Sequence, residues 1–496
     1  MANRKETITR ERLAKLNKIR SLNVDPYPHR YYRTHTTKGT IELFEQGEEN
    51  NVELPEVRLA GRITSRRAMG KATFIDLRDG YGKIQIYLRQ NNLGVEKYQY
   101  FDEFDIGDFI GVEGKVFRTH SGEVTIQAID ITMLSKSLQP LPEKWHGLVD
   151  VEKRYRQRHL DLISNEKTRY IFTIRSRVIA SMRHFLNERG FSEVETPVLL
   201  SVAAGAMAHP FSTHHQALDQ TLYLRIATEL NLKRLIIGGF EKVYEIGRIF
   251  RNEGISTKHN PEFTTLESYE AYADYNDVMV MVEEMISYIA QDVLGTQEVP
   301  YAGTIINLAP PWQRINLKDE LSTRCGIDFL DRNYRDTSSL QEEMQRLNIE
   351  TEPNMSWGRL LDKLVSTFVE PNLIQPTFVL DYPIESSPLA KKKANDPRLV
   401  ERFEGFIGGM EVANAFTELN DPLEQKERFQ EQEKLREMMG DEETDRTDEE
   451  FLDALEYGMP PTGGLGVGID RLLMILTNQQ SIREVILFPH LKTKQE

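Results

Sequence analysis

From residue 7 to 22 the apolar positions Ile8, Leu13, Leu16, Ile19 and Leu22 recur at roughly helical spacing, with lysines and arginines between them. The pattern predicts an amphipathic helix with a basic outer face. From 56 to 133 the period shortens to two. EVRLAGRI, ATFIDLR, KIQIYLR, DFIGVEGKVF and VTIQAIDI alternate apolar and polar residues, separated by Gly-containing turns such as DGYG and HSGE. These five short segments predict a small β-barrel.

LQPLPEKW, from Leu138 to Trp145, carries two prolines and reads as a linker. Beyond it the texture becomes α+β. EKTRYIFTIRSRVIASMRHFLNER, 166–189, is a long helical pattern stopped by Gly190. Strand-like TLYLRIA, KVYEIGRIF and PTFVLDYP then alternate with helices, without the regular spacing of βαβ units. A mixed or antiparallel sheet flanked by helices is expected. The charged stretch 424–455 reads as a surface helix pair. The chain therefore divides into a basic helical extension (1–55), a five-stranded barrel (56–137) for which the oligonucleotide-binding (OB) type is the commonest candidate, a linker (138–165) and an α+β domain (166–496).

Composition narrows the class. The 496 residues are 39% apolar and 28% charged, as in ordinary soluble domains. No run approaches a membrane span, and the N-terminus has no apolar signal core. The one cysteine, Cys325, excludes an intrachain disulfide and a multi-cysteine zinc site, so a cytoplasmic protein is expected. The net charge is −15, unevenly spread: residues 1–40 hold ten Lys/Arg against three Asp/Glu, and residues 421–453 hold fourteen Asp/Glu against five Lys/Arg. A polyanion partner at the N-terminal end and plain solvated faces both fit that distribution.

The chemistry concentrates in three places. In FRNEGISTKHNPEF, 250–263, Arg251 offers a planar fork for carboxylate or phosphate. Glu253, two residues on along the same strand face, can accept from an amine. Lys258 and His259 add donors, and Phe263 a ring for stacking, so the stretch describes an adenine-nucleotide site. There is no GxxxxGK[ST] loop, and GGLGVGIDR at 463–471 matches a dinucleotide fingerprint only loosely. It offers close backbone approach followed by Arg471, which reads as a second phosphate arginine or as tight strand–helix packing. EGFIGGMEVANAFTELND, 404–421, sets Glu404, Glu411, Asn414 and Glu418 on an apolar background. A magnesium ion, a cationic ligand or a structural salt-bridge cluster would each satisfy them. GFSEVETPVL, 190–199, suits a dimer edge. His209, His214 and His215 lack a cysteine or HxxxH partner, and a metal role is set aside. Cys325 has no supporting base and reads as inert.

Taken together, GFSEVETPVL, FRNEGISTKHNPEF and GGLGVGIDR resemble motifs 1, 2 and 3 of the class II aminoacyl-tRNA synthetases, in order. YRQRHLDL, THHQALD, HNPEF, AYADY and ELND are similar to the bacterial lysyl-specific branch of that family. The resemblance covers nearly the whole chain. It implies an anticodon-binding OB domain, a catalytic domain on an antiparallel sheet and a homodimer joined partly through motif 1. It also implies ATP, L-lysine, tRNA(Lys) and Mg2+ as reaction partners. By the same resemblance, Arg251, Glu253, His259, Asn260, Phe263, Glu404 and Arg471 meet ATP, with Arg251 and Arg471 catalytic. Glu404 and Glu411 hold magnesium. Gly205, Glu229, Arg251, Glu267, Tyr269, Asn414 and Glu418 form the lysine pocket. Arg67, Phe74 and Gln85 read the anticodon.

The chain departs from the family pattern at Ala204 before Gly205, at His209, at Ala413 and in its LFPHLK tail. Ala413 is expected to add a methyl group beside the substrate. Three alternatives stand beside the lysyl reading: an aspartyl- or asparaginyl-type synthetase, a paralogue that modifies a protein lysine, and a non-catalytic RNA-binding protein.

Overall fold

The structure is a computed structural model, and it describes all residues except 1–3, 51, 53–54, 143–147, 207, 353–354, 440–446 and 493–496. The end of LQPLPEKW and the middle of the acidic segment 421–453 lie outside the described residues. The chain divides into two units, 1–147 and 148–496.

In the first unit, β1 (Val57–Met69), β2 (Ala72–Arg78), β3 (Lys83–Arg89), β4 (Phe109–Arg118) and β5 (Val124–Ser135) close into a barrel in the order β1-β2-β3-β5-β4. Only β3 and β5 pair in parallel. Alternation puts Ile75, Leu77, Ile86, Ile110, Val112 and Ile126 inside with no exposed surface. Closure leaves no free sheet edge. The basic helix Arg4–Ser21 differs from expectation. Its cations are not all turned to water: Arg12 is buried and donates to the carbonyls of Ile106, Ser137 and Gln139 at 2.8–3.0 Å. Lys15 pairs with Asp105 at 2.6 Å, and Lys18 with Glu103. Ile19 enters the barrel core, which turns these side chains toward the barrel end.

The second unit is built on an eight-stranded sheet. Its strands, with the small ones between, are β6 (Ser192–Glu193), β7 (Leu199–Leu200), β8 (Ser212–His215), β9 (Gln220–Leu224), β10 (Lys242–Phe250), β11 (Glu262–Ala271), β12 (Glu298–Tyr301), β13 (Thr304–Asn307), β14 (Gln313–Asn316), β15 (Thr377–Leu380), β16 (Arg402–Ile407), β17 (Met410–Thr417) and β18 (Thr462–Gly468). The order is β14-β15-β16-β17-β18-β11-β10-β6. The six central strands are antiparallel. Both edges are parallel, β14 on β15 and β6 on β10, because the chain reaches each edge through helical crossings rather than hairpins.

Helices Glu166–Glu188, Tyr275–Leu294 and Ile469–Leu476 pack one sheet face through Ile174, Val178, Met182, Met285, Ile286 and Leu473. Strand alternation sends Leu266, Ala413, Ala415, Leu465 and Val467 into that core. Their neighbours in sequence are left on the other face, where the site lies. The expected linker 138–165 folds differently over its second half. Helices Val151–Arg156 and Arg158–Ser164 belong to the body, because Arg158 is fully buried and bonds Asp161 at 2.6 Å and the Leu487 carbonyl at 2.9 Å. Arg154 bridges Asp161 and Glu484. Among the described residues, no helix is long and apolar enough to cross a membrane.

Candidate active site

The open face of the sheet is a ladder of side chains with a bare centre. Across one row the register runs Glu404, Asn414, Gly466, Glu267; across the next it runs Arg402, Phe416, Gly464, Tyr269. The glycines of GGLGVG thus form a floor with no side chains between two polar walls. The closeness is strict at Gly464, where an added Cβ would stand 1.8 Å from Glu418 Oε1 and 2.7 Å from the Tyr269 ring. Above this floor is a cavity of about 530 Å³ within the second unit. All fourteen residues assigned to ATP, magnesium and lysine line it: Gly205, Glu229, Arg251, Glu253, His259, Asn260, Phe263, Glu267, Tyr269, Glu404, Glu411, Asn414, Glu418 and Arg471.

FRNEGISTKHNPEF is the connection of the β10–β11 hairpin. Arg251 follows the strand end, its N–H donating to the Pro261 carbonyl at 2.8 Å. Its guanidinium carbon lies 5.3 Å from the centre of the Phe263 ring. Glu253 is not on the same strand face as expected. Asn252 N–H donates to the His209 carbonyl at 2.7 Å, and Glu253 N–H turns back to the Arg251 carbonyl at 2.9 Å, so Glu253 sits on an exposed loop. His259 lies between Ser256 Oγ at 2.9 Å and Arg471 Nη2 at 3.3 Å. Burial, then the nearby Arg471 and Lys258 charges, lower its pKa and so favour the neutral ring. Asn260 is buried; its Nδ2 donates to the Glu262 carbonyl at 2.6 Å while its Oδ1 has no partner.

At this end of the cavity, carboxylates and arginines alternate. Arg471 donates to Glu411 Oε2 at 3.1 Å. Glu404 accepts from Arg402 at 2.6 Å and from the Tyr382 hydroxyl at 2.8 Å. Burial, reinforced by Glu411 and Asp362, pushes Glu404 up to about 8 against the pull of Arg402. Burial and Glu411 push Asp362 up to about 6. Among the described residues no cluster of three or more His, Cys, Asp or Glu has the geometry of a metal cage. Glu404 and Glu411 are nonetheless two cavity-facing acids in a surplus that a cation would relieve, which fits a divalent ion held with substrate oxygens.

The other end is acidic and more deeply buried. Glu267 accepts from Thr228 N–H at 3.2 Å, and burial, with Glu229 adding, pushes it up to about 7. Glu418 is raised well above the ordinary carboxylate value, first by burial. Tyr269 stands beside them, its hydroxyl also raised by burial. Gly205 has φ +91°, a conformation that favours glycine, at the mouth of this end.

The cavity also draws on residues that carry no sequence signal: Arg402, Asp362 and Glu370 line it and Tyr382 bonds Glu404. They come from segments without a motif; only the E-x-x-x-K spacing of Glu229 and Lys233 was a visible signal. Ala413 corrects an expectation: it packs in the core on the face of β17 opposite Asn414, so its methyl group is not beside the cavity. Asn414 accepts from Arg402 Nε at 3.2 Å, which holds it between the two ends. In the barrel, Arg67 pairs across strands with Phe74, and Asp76 with Gln85, which puts the three named residues on one outer face. Arg67 is exposed, and Phe74 packs on Tyr87 at 4.8 Å between ring centres. Gln85 is buried and engaged at both ends of its amide, by Glu123 at 2.8 Å and Thr125 at 3.0 Å. Cys325 donates to the Leu321 carbonyl and its thiol pKa is raised by burial.

An antiparallel sheet carrying a hairpin arginine, a second arginine after a glycine strand and a buried acid pocket defines a class of nucleotide-dependent ligases. Residues 150–492 match the family of class II tRNA synthetases (D, K and N), and residues 57–134 match the OB-fold nucleic acid binding domain. The chain is 54% identical over 492 residues to the lysine–tRNA ligase of Dehalococcoides mccartyi, covering 99% of this chain and 98% of that protein. It is 54% identical to that of Pelotomaculum thermopropionicum over 98% and 95% of the two chains. Against the Bacillus mycoides lysine–tRNA ligase the figure is 51%, over 98% and 97%. The chain belongs to the class II tRNA synthetases, in the lysine–tRNA ligase family.

Proposed function

We propose that the chain joins L-lysine to tRNA(Lys) in two steps at the cavity above the glycine floor. In the first, a lysine carboxylate oxygen attacks the α-phosphorus of ATP; the bond to the β-phosphate oxygen breaks, and lysyl-adenylate and pyrophosphate form. In the second, a hydroxyl of the tRNA 3′-terminal ribose attacks the acyl carbon and AMP leaves. The observation that carries the lysine reading is the burial of Glu229, Glu267 and Glu418 around one end of the cavity. A carboxylate side chain such as that of aspartate would add a further negative charge there, where Lys233 is already paired with Glu229 and Glu418.

Arg251 grips the α-phosphate and the substrate carboxylate, where negative charge is shared during the displacement. Phe263 stacks on adenine, with Arg251 near its ring. Arg471 holds the γ-phosphate, and His259 keeps it in place. Glu253 and Asn260 supply acceptors for the nucleotide. Glu404 and Glu411 would hold Mg2+, which neutralises phosphate charge when bound. Gly205 and Glu229 receive the α-ammonium; Glu267, Tyr269, Asn414 and Glu418 receive the side chain. No protein nucleophile is required, since positioning and charge neutralisation suffice. The barrel face of Arg67, Phe74 and Gln85 meets the anticodon, Phe74 by stacking on an unpaired base. A cytoplasmic location is part of this reading and fits tRNA and ATP as partners.

A homodimer joined partly through 190–199 is part of this reading. It is supported by Val198 and Leu199, apolar residues 39% and 45% exposed on that segment. Sedimentation of a monomer at micromolar concentration would remove this element of the proposal.

The deciding assay is pyrophosphate exchange into ATP with each amino acid in turn, with magnesium present. Lysine is expected to support exchange and aspartate and asparagine are not; absence of lysine-dependent exchange overturns the reading. Arg251→Ala is expected to lower exchange by at least about a hundredfold. Phe74→Ala is expected to leave exchange unchanged while raising the KM for tRNA in charging. An equal loss in both assays contradicts the anticodon role.

A further inference from the structure

Lys233 takes part in none of the steps above. It stands one turn after Glu229 in the helix Glu229–Ile237, with no exposed surface. Its ammonium lies 2.5 Å from Glu229 Oε1 and also pairs with Glu418. The rings of Phe416 and Phe451 face the same ammonium at 5.5 and 5.9 Å. It therefore ties together two acids of the pocket, one from the helix and one just beyond β17, from behind the cavity wall.

The front of the same pair points to a ligand. Glu418 Oε1 has no hydrogen-bond partner and faces the floor at Gly464. The charged and titratable groups around the pair are Glu229 on its own helix and Glu267 and Tyr269 on β11; helix Glu449–Leu455 contributes Phe451. Counted as ions, the three acids and Lys233 leave two negative charges. Lysine brings two ammonium groups, and its carboxylate is met separately by Arg251.

Resting on the lysine reading above, we propose that Lys233 is a positioning residue that determines specificity. Its ammonium orients Glu229 and Glu418, draws Glu418 back toward ionisation against its burial, and sets the pocket's charge to match a substrate with two ammonium groups. Without that ammonium, three carboxylates share one dry pocket. Glu418 then holds its proton more tightly, and binding of the substrate's side-chain ammonium must release it.

The test is lysine-dependent exchange by the full chain, comparing wild type, Lys233→Met, Glu418→Gln and the double variant. Lys233→Met is expected to raise the lysine KM by on the order of tenfold, with kcat and the ATP KM within about twofold. Its lysine KM is expected to recover as pH rises and Glu418 loses its proton. An unchanged lysine KM, or equal losses for lysine and ATP, overturns the proposal. If Lys233→Met alone does not fold, the other two variants decide. In the Glu418→Gln background the pocket carries one negative charge, and removing Lys233 restores two. The double variant is therefore expected to bind lysine at least as tightly as Glu418→Gln; weaker binding overturns the proposal. Exchange by wild type in the same assay separates this outcome from failure of the lysine reading itself.

Discussion

A carboxylate taken out of water costs several kcal/mol unless a cation or donors meet it. The catalytic unit gathers carboxylates in one cavity, and much of its architecture manages that cost. Arg402 and Tyr382 answer Glu404, Arg471 answers Glu411, and Lys233 answers Glu229 and Glu418. Glu267 is met by Thr228 and by the charge of Arg251, which do not offset its burial, and its pKa rises accordingly. The sign follows directly. A folded-state pKa of about 7 lies above the ordinary value of 4.5, so burial of Glu267 costs nothing below about pH 4.5. The cost grows as pH climbs through about 7 and stays constant above it.

The sheet makes this arrangement possible. One face is closed by three helices over a large apolar core, so the strands cannot shift register without exposing it. The fixed register places Gly464 and Gly466 between the polar walls, and the missing side chains leave the cavity open above them. The two ends of the cavity then divide the chemistry. At one end arginines and His259 stand among Glu404, Glu411 and Asp362; at the other the acids Glu229, Glu267 and Glu418 gather around Tyr269.

Much of this was legible in the sequence because it depends on local pattern. The period-two segments gave the barrel strands, and KVYEIGRIF is β10 residue for residue. The second and third motifs contain Arg251, Glu253, His259, Asn260, Phe263 and Arg471, which the fold brings together in the cavity, while the first contributes nothing to it. What was not legible depends on distant contacts. Arg158 looks like any charge in a linker until Asp161 and the Leu487 carbonyl are seen to bury it. Ala413 seemed to border the substrate because Asn414 does, but adjacent residues of a strand face opposite ways. Glu253 left its strand because His209, far away in sequence, bonds the residue before it. Lys233 could have been noticed as a lysine one turn after a pocket acid, but its tie to Glu418 spans most of the domain.

The central claim is that a buried acid pocket, in which Glu267 is partly protonated, selects a doubly cationic amino acid by releasing a proton to solvent as the ammonium groups bind. Calorimetric titration of lysine into the full chain tests this directly, in buffers of equal pH and different ionisation heats. Near pH 6.5 the binding heat should vary with the buffer and report proton release, fading by about pH 8.5 and shrinking in Glu267→Gln. A binding heat independent of buffer at pH 6.5 would contradict the account.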